Sequence, residues 1–285
     1  MLTTAQYPIS QSQSQIRKQP VFCGKCSAGV KELKRISLYN PFSETFSHGD
    51  IIFNPKKSGT YKLKNRNSEK YLTVKYDPNS KGSLTSKENG QKIPVVVLEA
   101  YEGENTNRVS YHFMSEDLYR EYGYVQLLKP DMTKIKTSRE LYKDYPEEGI
   151  VGDRLIVEYL KNETRDKLGG VGKLADKMAV KYCLDHNISP NIISYAKINS
   201  EVAHYKRGKR FIPPEKDSIE YKALMQRYDT ADMNKIIEEL LKKDKDDNIF
   251  IQGFYYPVMY MPKELFEKYK NEITSKKCSH LVNRQ

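Results

Sequence analysis

The run Lys167-Leu168-Gly169-Gly170-Val171-Gly172 is the stretch of this chain whose residue types and spacing best suit the binding of an anion. From Val171 onward the apolar residues Val171, Leu174, Ala175, Met178, Ala179, Tyr182 and Cys183 recur at the offsets of one helical face, while Lys173, Asp176, Lys177 and Lys181 take the other. A glycine-rich loop therefore opens an amphipathic helix. The first turn of a helix has unpaired N–H groups and the positive end of the dipole, and glycine leaves that backbone bare. Such a terminus suits a pyrophosphate, held by the N–H groups of Gly169, Gly170, Val171, Gly172 and Lys173, with charge added by Lys167 or Lys173.

Spacing separates the families that use such a loop. A Walker A loop requires Gly five residues before its Gly-Lys and Ser or Thr after the Lys, where this chain has Lys167 and Leu174. A dinucleotide fingerprint fits formally as Gly170-x-Gly172-x-x-Ala175, but a polar loop at 161–167 precedes it and the next strand, 192–196, is followed by Lys197 rather than an acid. A Rossmann-type dinucleotide-binding enzyme is thus a weak rival. The run resembles the acetyl-CoA loop of the GNAT N-acetyltransferase superfamily, which reads Gln or Arg, x, x, Gly, x, Gly or Ala; Lys167 stands where Gln or Arg is usual. Downstream, 191–196, Asn199, Ala203, Tyr205 and a basic run closed by Phe211 are similar to that family's strand, its Asn-bearing loop and its Tyr-bearing helix. The resemblance spans 95–211, and its weight lies in the order of the motifs.

That resemblance implies an α/β (α+β) fold: a mixed, mostly antiparallel sheet with one parallel pair at the cofactor cleft, flanked by helices. It implies acetyl transfer from acetyl-CoA to a primary amine of a small molecule, peptide or protein. Acyl transfer to an amine needs a base, an oxyanion donor and an acid for the departing thiolate. By resemblance Tyr205 is the acid, although its register lies one residue nearer Asn199 than usual and sets His204 and Tyr205 in competition for the inward direction. Glu158 is the candidate base, acting directly or through water, ahead of Glu163 and Glu121. The backbone near Val157 or Tyr159 supplies the oxyanion donor, and Asn199 either contacts pantetheine or caps the next helix. A non-catalytic protein that keeps the fold as an interaction scaffold is the alternative, and a homodimer is compatible with either.

These residues need elements to position them. Strands are expected at 93–101, 109–114 and 122–128, joined as an antiparallel meander, and at 154–160, feeding the glycine loop. A hairpin is expected from 61–64 and 70–76, a loop at 77–91, and an irregular or short helical insertion at 139–145. Ser200 is the expected N-cap of a short helix that Gly208 stops. A helical insertion at 213–248 precedes a closing strand within 249–261, and 263–284 reads as a terminal helix. The domain reading is a Gln/Ser-rich tail at 1–20, an extension at 21–90, the acyltransferase-like domain at 91–262, and a C-terminal helix and tail at 263–285.

A net charge of +11 is spread along the chain among Asp and Glu, which describes a solvated surface that attracts an anionic cofactor; nucleic acid is not expected, since the sequence carries no recognised binding module. No apolar run approaches the roughly 20 residues of a membrane span, and the start has no apolar leader segment, so a cytoplasmic protein is expected. Cys23-x-x-Cys26 with Cys278 and His280 has only half of a zinc pattern, so no metal is expected; free thiols are the better reading.

Overall fold

A computed structural model describes residues 34–39, 48–53, 57–64, 71–130, 154–164, 167–196, 200–243 and 257–275. The expected tail at 1–20, the insertion at 139–145, and Asn199, Cys23, Cys26, Cys278 and His280 lie outside them. The chain is a mixed α/β protein with a mostly antiparallel sheet. Its strands in chain order are β1 (Lys34–Tyr39), β2 (His48–Phe53), β3 (Gly59–Lys64), β4 (Tyr71–Tyr76), β5 (Lys81–Ser86), β6 (Lys92–Glu102), β7 (Arg108–Ser115) and β8 (Glu121–Leu128). Then come β9 (Leu155–Asn162), β10 (Leu168–Gly169), β11 (Ile192–Tyr195), β12 (Arg210–Phe211) and β13 (Val258–Tyr260). The helices are α1 (Val171–Asp185), α2 (Glu201–Lys206), α3 (Ile219–Tyr228), α4 (Met233–Lys243) and α5 (Lys263–Thr274).

The meander β6-β7-β8-β9 forms because short polar turns return the chain antiparallel and its strands bury apolar residues, on β6 on both faces, with Val95 and Val97 in one core and Val96 and Leu98 in another. Along its free side, β6 takes β5 over its first half and β4 over its second, and β3 pairs with β4. The hairpin is as expected; the loop at 77–91 is corrected, since Lys81–Ser86 is a strand inside it. Its Gly82 is forced by packing, because a Cβ there would stand 2.8 Å from Leu174. Beyond β9 the order is β11, β13, β12, with β1 and β2 forming a separate two-stranded ladder. Among the described strands, only β9 and β11 run parallel.

Helix α1 is the spine of the larger core. Its Val171, Leu174, Ala175, Met178, Ala179, Tyr182 and Cys183 are buried against β5, β7, β8, β9 and α5, as the periodicity requires, and each large side chain contributes roughly 1.5–3 kcal/mol by leaving water. Its polar face departs from expectation: Asp176 and Lys181 are buried, at 2% and 8% exposure. A second core joins Ala196, Val202 and Phe211 to Leu224 of α3 and Ile236 and Ile237 of α4, so the 213–248 helices close over the β11 to β12 connection. No described helix is long and apolar enough to cross a membrane.

Candidate active site

Strand β11 pairs with β9 over three positions, Ile192 with Leu155, Ile193 with Ile156 and Ser194 with Val157. On the other side of β9 the register against β8 shifts between Gln126, opposite Tyr159, and Leu127, opposite Val157. Glu158 is the extra residue of that bulge. A bulge adds twist and bends its strand. Among the described residues the β9–β11 pairing ends at Val157 and Ser194, and past the bulge Tyr159 to Asn162 pair with β8 alone.

At the corner, Gly170 is the N-cap of α1 with φ 98°, a left-handed geometry that favours glycine. It is solvent-exposed, no side chain caps the helix, and the first turn holds no acidic residue. Gly169 lies in the short β10, opposite Thr85 of β5, and Lys87 donates its N–H to the Lys167 carbonyl. The loop is therefore tied to the β5 edge rather than hanging free. Gly172 has a different reason to be glycine: a Cβ would lie 2.7 Å from the Arg207 guanidinium. Lys167 and Lys173 are exposed, and Lys173 reaches Glu272 of α5 at 3.3 Å.

The two catalytic candidates are not brought together. Glu158 receives two hydrogen bonds from Arg108, Nε to Oε2 at 2.8 Å and a terminal nitrogen to Oε1 at 2.6 Å, and a third from Gln126 at 2.7 Å. Tyr205 stacks on Phe211 and donates its hydroxyl to Glu238 of α4 at 2.5 Å. Burial and that bond push its phenol up to about 12. A phenol there protonates a thiolate, whose acid has a pKa near ~8.5, less readily than an ordinary tyrosine. His204, the competitor on the same helix, is the inward residue at 6% exposure. Ser200 stands at the N-cap of the helix as expected, without a side-chain cap hydrogen bond, and Gly208 ends the helix with φ 101°.

What sequence reading missed is the polar cluster under the corner. Asp176 of α1 accepts from Arg207 at 3.0 Å and pairs with Lys209 at 2.8 Å; Lys209 has no exposure and also donates to Ser194 of β11 at 2.7 Å. Burial pushes the Asp176 carboxyl up, and the Lys209 and Arg207 cations more than reverse this, holding it below the usual carboxylate value. Burial, with the same two cations, holds His204 well below 6.5, so it is neutral at pH 7 and its Nδ1 faces the Arg207 guanidinium at 2.8 Å. The cluster ties helix, parallel strand and the α2 to β12 turn into one unit. Two basic residues closely following the Tyr-bearing helix were the available signal, and an Asp on a helix face was not.

A second constellation lies on the opposite side of the meander. Ser110 Oγ is 2.9 Å from His112 Nε2, and His112 Nδ1 is 2.7 Å from Glu121 Oε1, the connectivity of a nucleophilic triad. Ser110 and His112 have no exposure, and Ser110 also bonds the Ala100 carbonyl, so no substrate reaches the hydroxyl. The i, i+2 spacing on one strand sets the two on one face. Among the described residues no group of His, Cys, Asp and Glu is arranged to hold a metal ion. Compared with family models, with curated proteins and with solved structures, the chain matches none.

Proposed function

We propose that this chain is an acetyl-CoA-dependent N-acetyltransferase acting on a primary amine. The observation that carries the reading is that β9 runs on past the end of its parallel pairing with β11, on a strand packed against a long helix that begins on an exposed glycine with no side-chain cap. Where that pairing ends, β9 presents backbone N–H and C=O groups that an extended pantetheine amide chain can match, and an uncapped helix start offers donors to a diphosphate. In this reading the backbone of 169–173 holds the diphosphate, Lys167 adds charge, and the N–H of Val157 or Tyr159 faces the thioester oxygen. The donor supplies an acetyl thioester. The amine attacks its carbonyl carbon, the C–S bond breaks, and the ammonium proton leaves through Glu158 or a water that it orients. The dinucleotide alternative has less support, because α1 leaves from β10, whose neighbour β5 is antiparallel.

A specific observation favours the second reading, a CoA-fold scaffold without catalysis: Glu158 is occupied by Arg108 and Gln126, and Tyr205 by Glu238. Retention of the full chain on immobilised CoA but not on NAD, followed by acetylated product from an amine panel detected by mass, is the expected result. CoA retention without product selects the scaffold. Absence of CoA retention overturns both.

A further inference from the structure

The residues at the end of the β9–β11 pairing face two ways. Val157 packs in the core under α1, and the Ser194 hydroxyl accepts from Lys209, which pairs with Asp176 of α1. Alternation turns the next residue of β11, Tyr195, to the opposite face of the sheet. Arg108, Gln126 and Glu158 meet on that same face, since their neighbours Val109, Val125, Leu127 and Val157 all belong to the α1 core. Tyr195 is 45% exposed. It stands opposite Val258 of β13, which packs on Ile193, Ile212 and Tyr260. One side of the strand end is therefore apolar and aromatic, and the other carries a carboxylate.

That carboxylate has room for one more donor. Its two oxygens offer about four acceptor sites. Arg108 and Gln126 take two on Oε2, and Arg108 takes one on Oε1. The Glu158 side chain is 21% exposed, so the remaining site on Oε1 can take a donor that arrives from solvent. A primary ammonium is such a donor, and the body of the molecule behind it meets Tyr195 and Val258. An alkyl diamine would bring a second charge to an apolar surface, and an amino sugar would bury hydroxyls against it; both are costly. An aromatic ring packs its face on the tyrosine and gains by doing so.

We propose that the amine acceptor is an arylalkylamine, its ammonium on Glu158 Oε1 and its ring on Tyr195. The inference rests on the acyl-transfer reading and names the acceptor class of that same site.

The test is acetyl-CoA turnover by the full chain with phenethylamine, hexylamine, putrescine, glucosamine and an N-blocked lysine amide, with acetylated product detected by mass. Phenethylamine should show kcat/KM about fivefold or more above each of the others. Tyr195→Ala should bring that ratio down to about one, and Tyr195→Phe, which keeps the ring, should preserve it. The position is exposed, so neither variant should shift the thermal midpoint appreciably. Turnover that favours another amine of the panel, a preference that survives Tyr195→Ala, or one that Tyr195→Phe loses would overturn this inference and leave the acyl-transfer reading standing. No turnover of any amine overturns both.

Discussion

Asp176 and Glu158 sit in ion pairs of similar length and opposite character. Asp176 is 2% exposed and lies between Lys209 at 2.8 Å and Arg207 at 3.0 Å; Glu158 has a 21% exposed side chain and holds Arg108, itself 40% exposed, at 2.6 Å. Distance ranks them the wrong way round. An exposed pair is screened by water and pays the ordering of two side chains, so its net worth is about 0–1 kcal/mol. A buried pair gains little over apolar packing, but losing one member strands the other charge, which costs about 3–5 kcal/mol. Asp176 is therefore committed to the fold. Glu158 is held by three hydrogen bonds at a part-buried position, but its release strands no fully buried charge.

The largest test of this contrast is Asp176→Ala, which leaves Lys209 without its carboxylate at zero exposure. Urea unfolding should show a loss of about 3–5 kcal/mol, and a loss below about 1 kcal/mol would place the pair in the same class as Glu158–Arg108. The pH dependence sharpens the point. The folded pKa of Asp176 lies below 3.8, so the unfolded chain binds the proton more tightly; the stability it contributes is present above pH 3.8 and lost as pH falls through the folded value. Asp176→Asn should remove that part of the acid slope, and an unchanged slope would mean that other carboxylates dominate.

Gly172→Ala comes next. Alanine gains about 0.8–1.0 kcal/mol of helix propensity over glycine, but its Cβ meets a guanidinium bonded to Asp176 and His204, and overpacking costs about 1–3 kcal/mol. A net loss of about 1 kcal/mol is expected by thermal melting. A stabilised variant would show that Arg207 swings away freely. The smallest stability effect belongs to Glu158→Gln, at most about 1 kcal/mol after allowance for solvent screening. If Glu158 takes the amine proton, the same substitution lowers turnover by about 10²-fold or more with folding intact. Equal turnover in wild type and Glu158→Gln would remove Glu158 from the chemistry.

Much of the scaffold was legible because its signals are local. Gly208 ends α2, the spacing of Val171, Leu174 and Met178 marks a helix, and apolar runs separated by polar turns in 93–128 mark a meander; each is written in neighbouring residues. Strand β5 was missed because Gly82, Ser83 and Ser86 read as a loop; it is held by pairing with β6 and by Leu174, a residue far along the chain. The site was harder to read. Which of His204 and Tyr205 faces inward depends on where α4 packs, and the partners of Glu158 come from β7 and β8.

From its sequence alone this protein's meander, the presence of helices in 213–248 and after 263, and the glycine-led helix start could be stated, since periodicity and backbone freedom act over a few residues. The partners of each charge were decided only by tertiary structure, which set Lys209 against Asp176 and Arg207 against Gly172. The physical reason is that the energy of a polar group depends on how much water it loses, and that is fixed by the elements folded over it rather than by its neighbours in the chain.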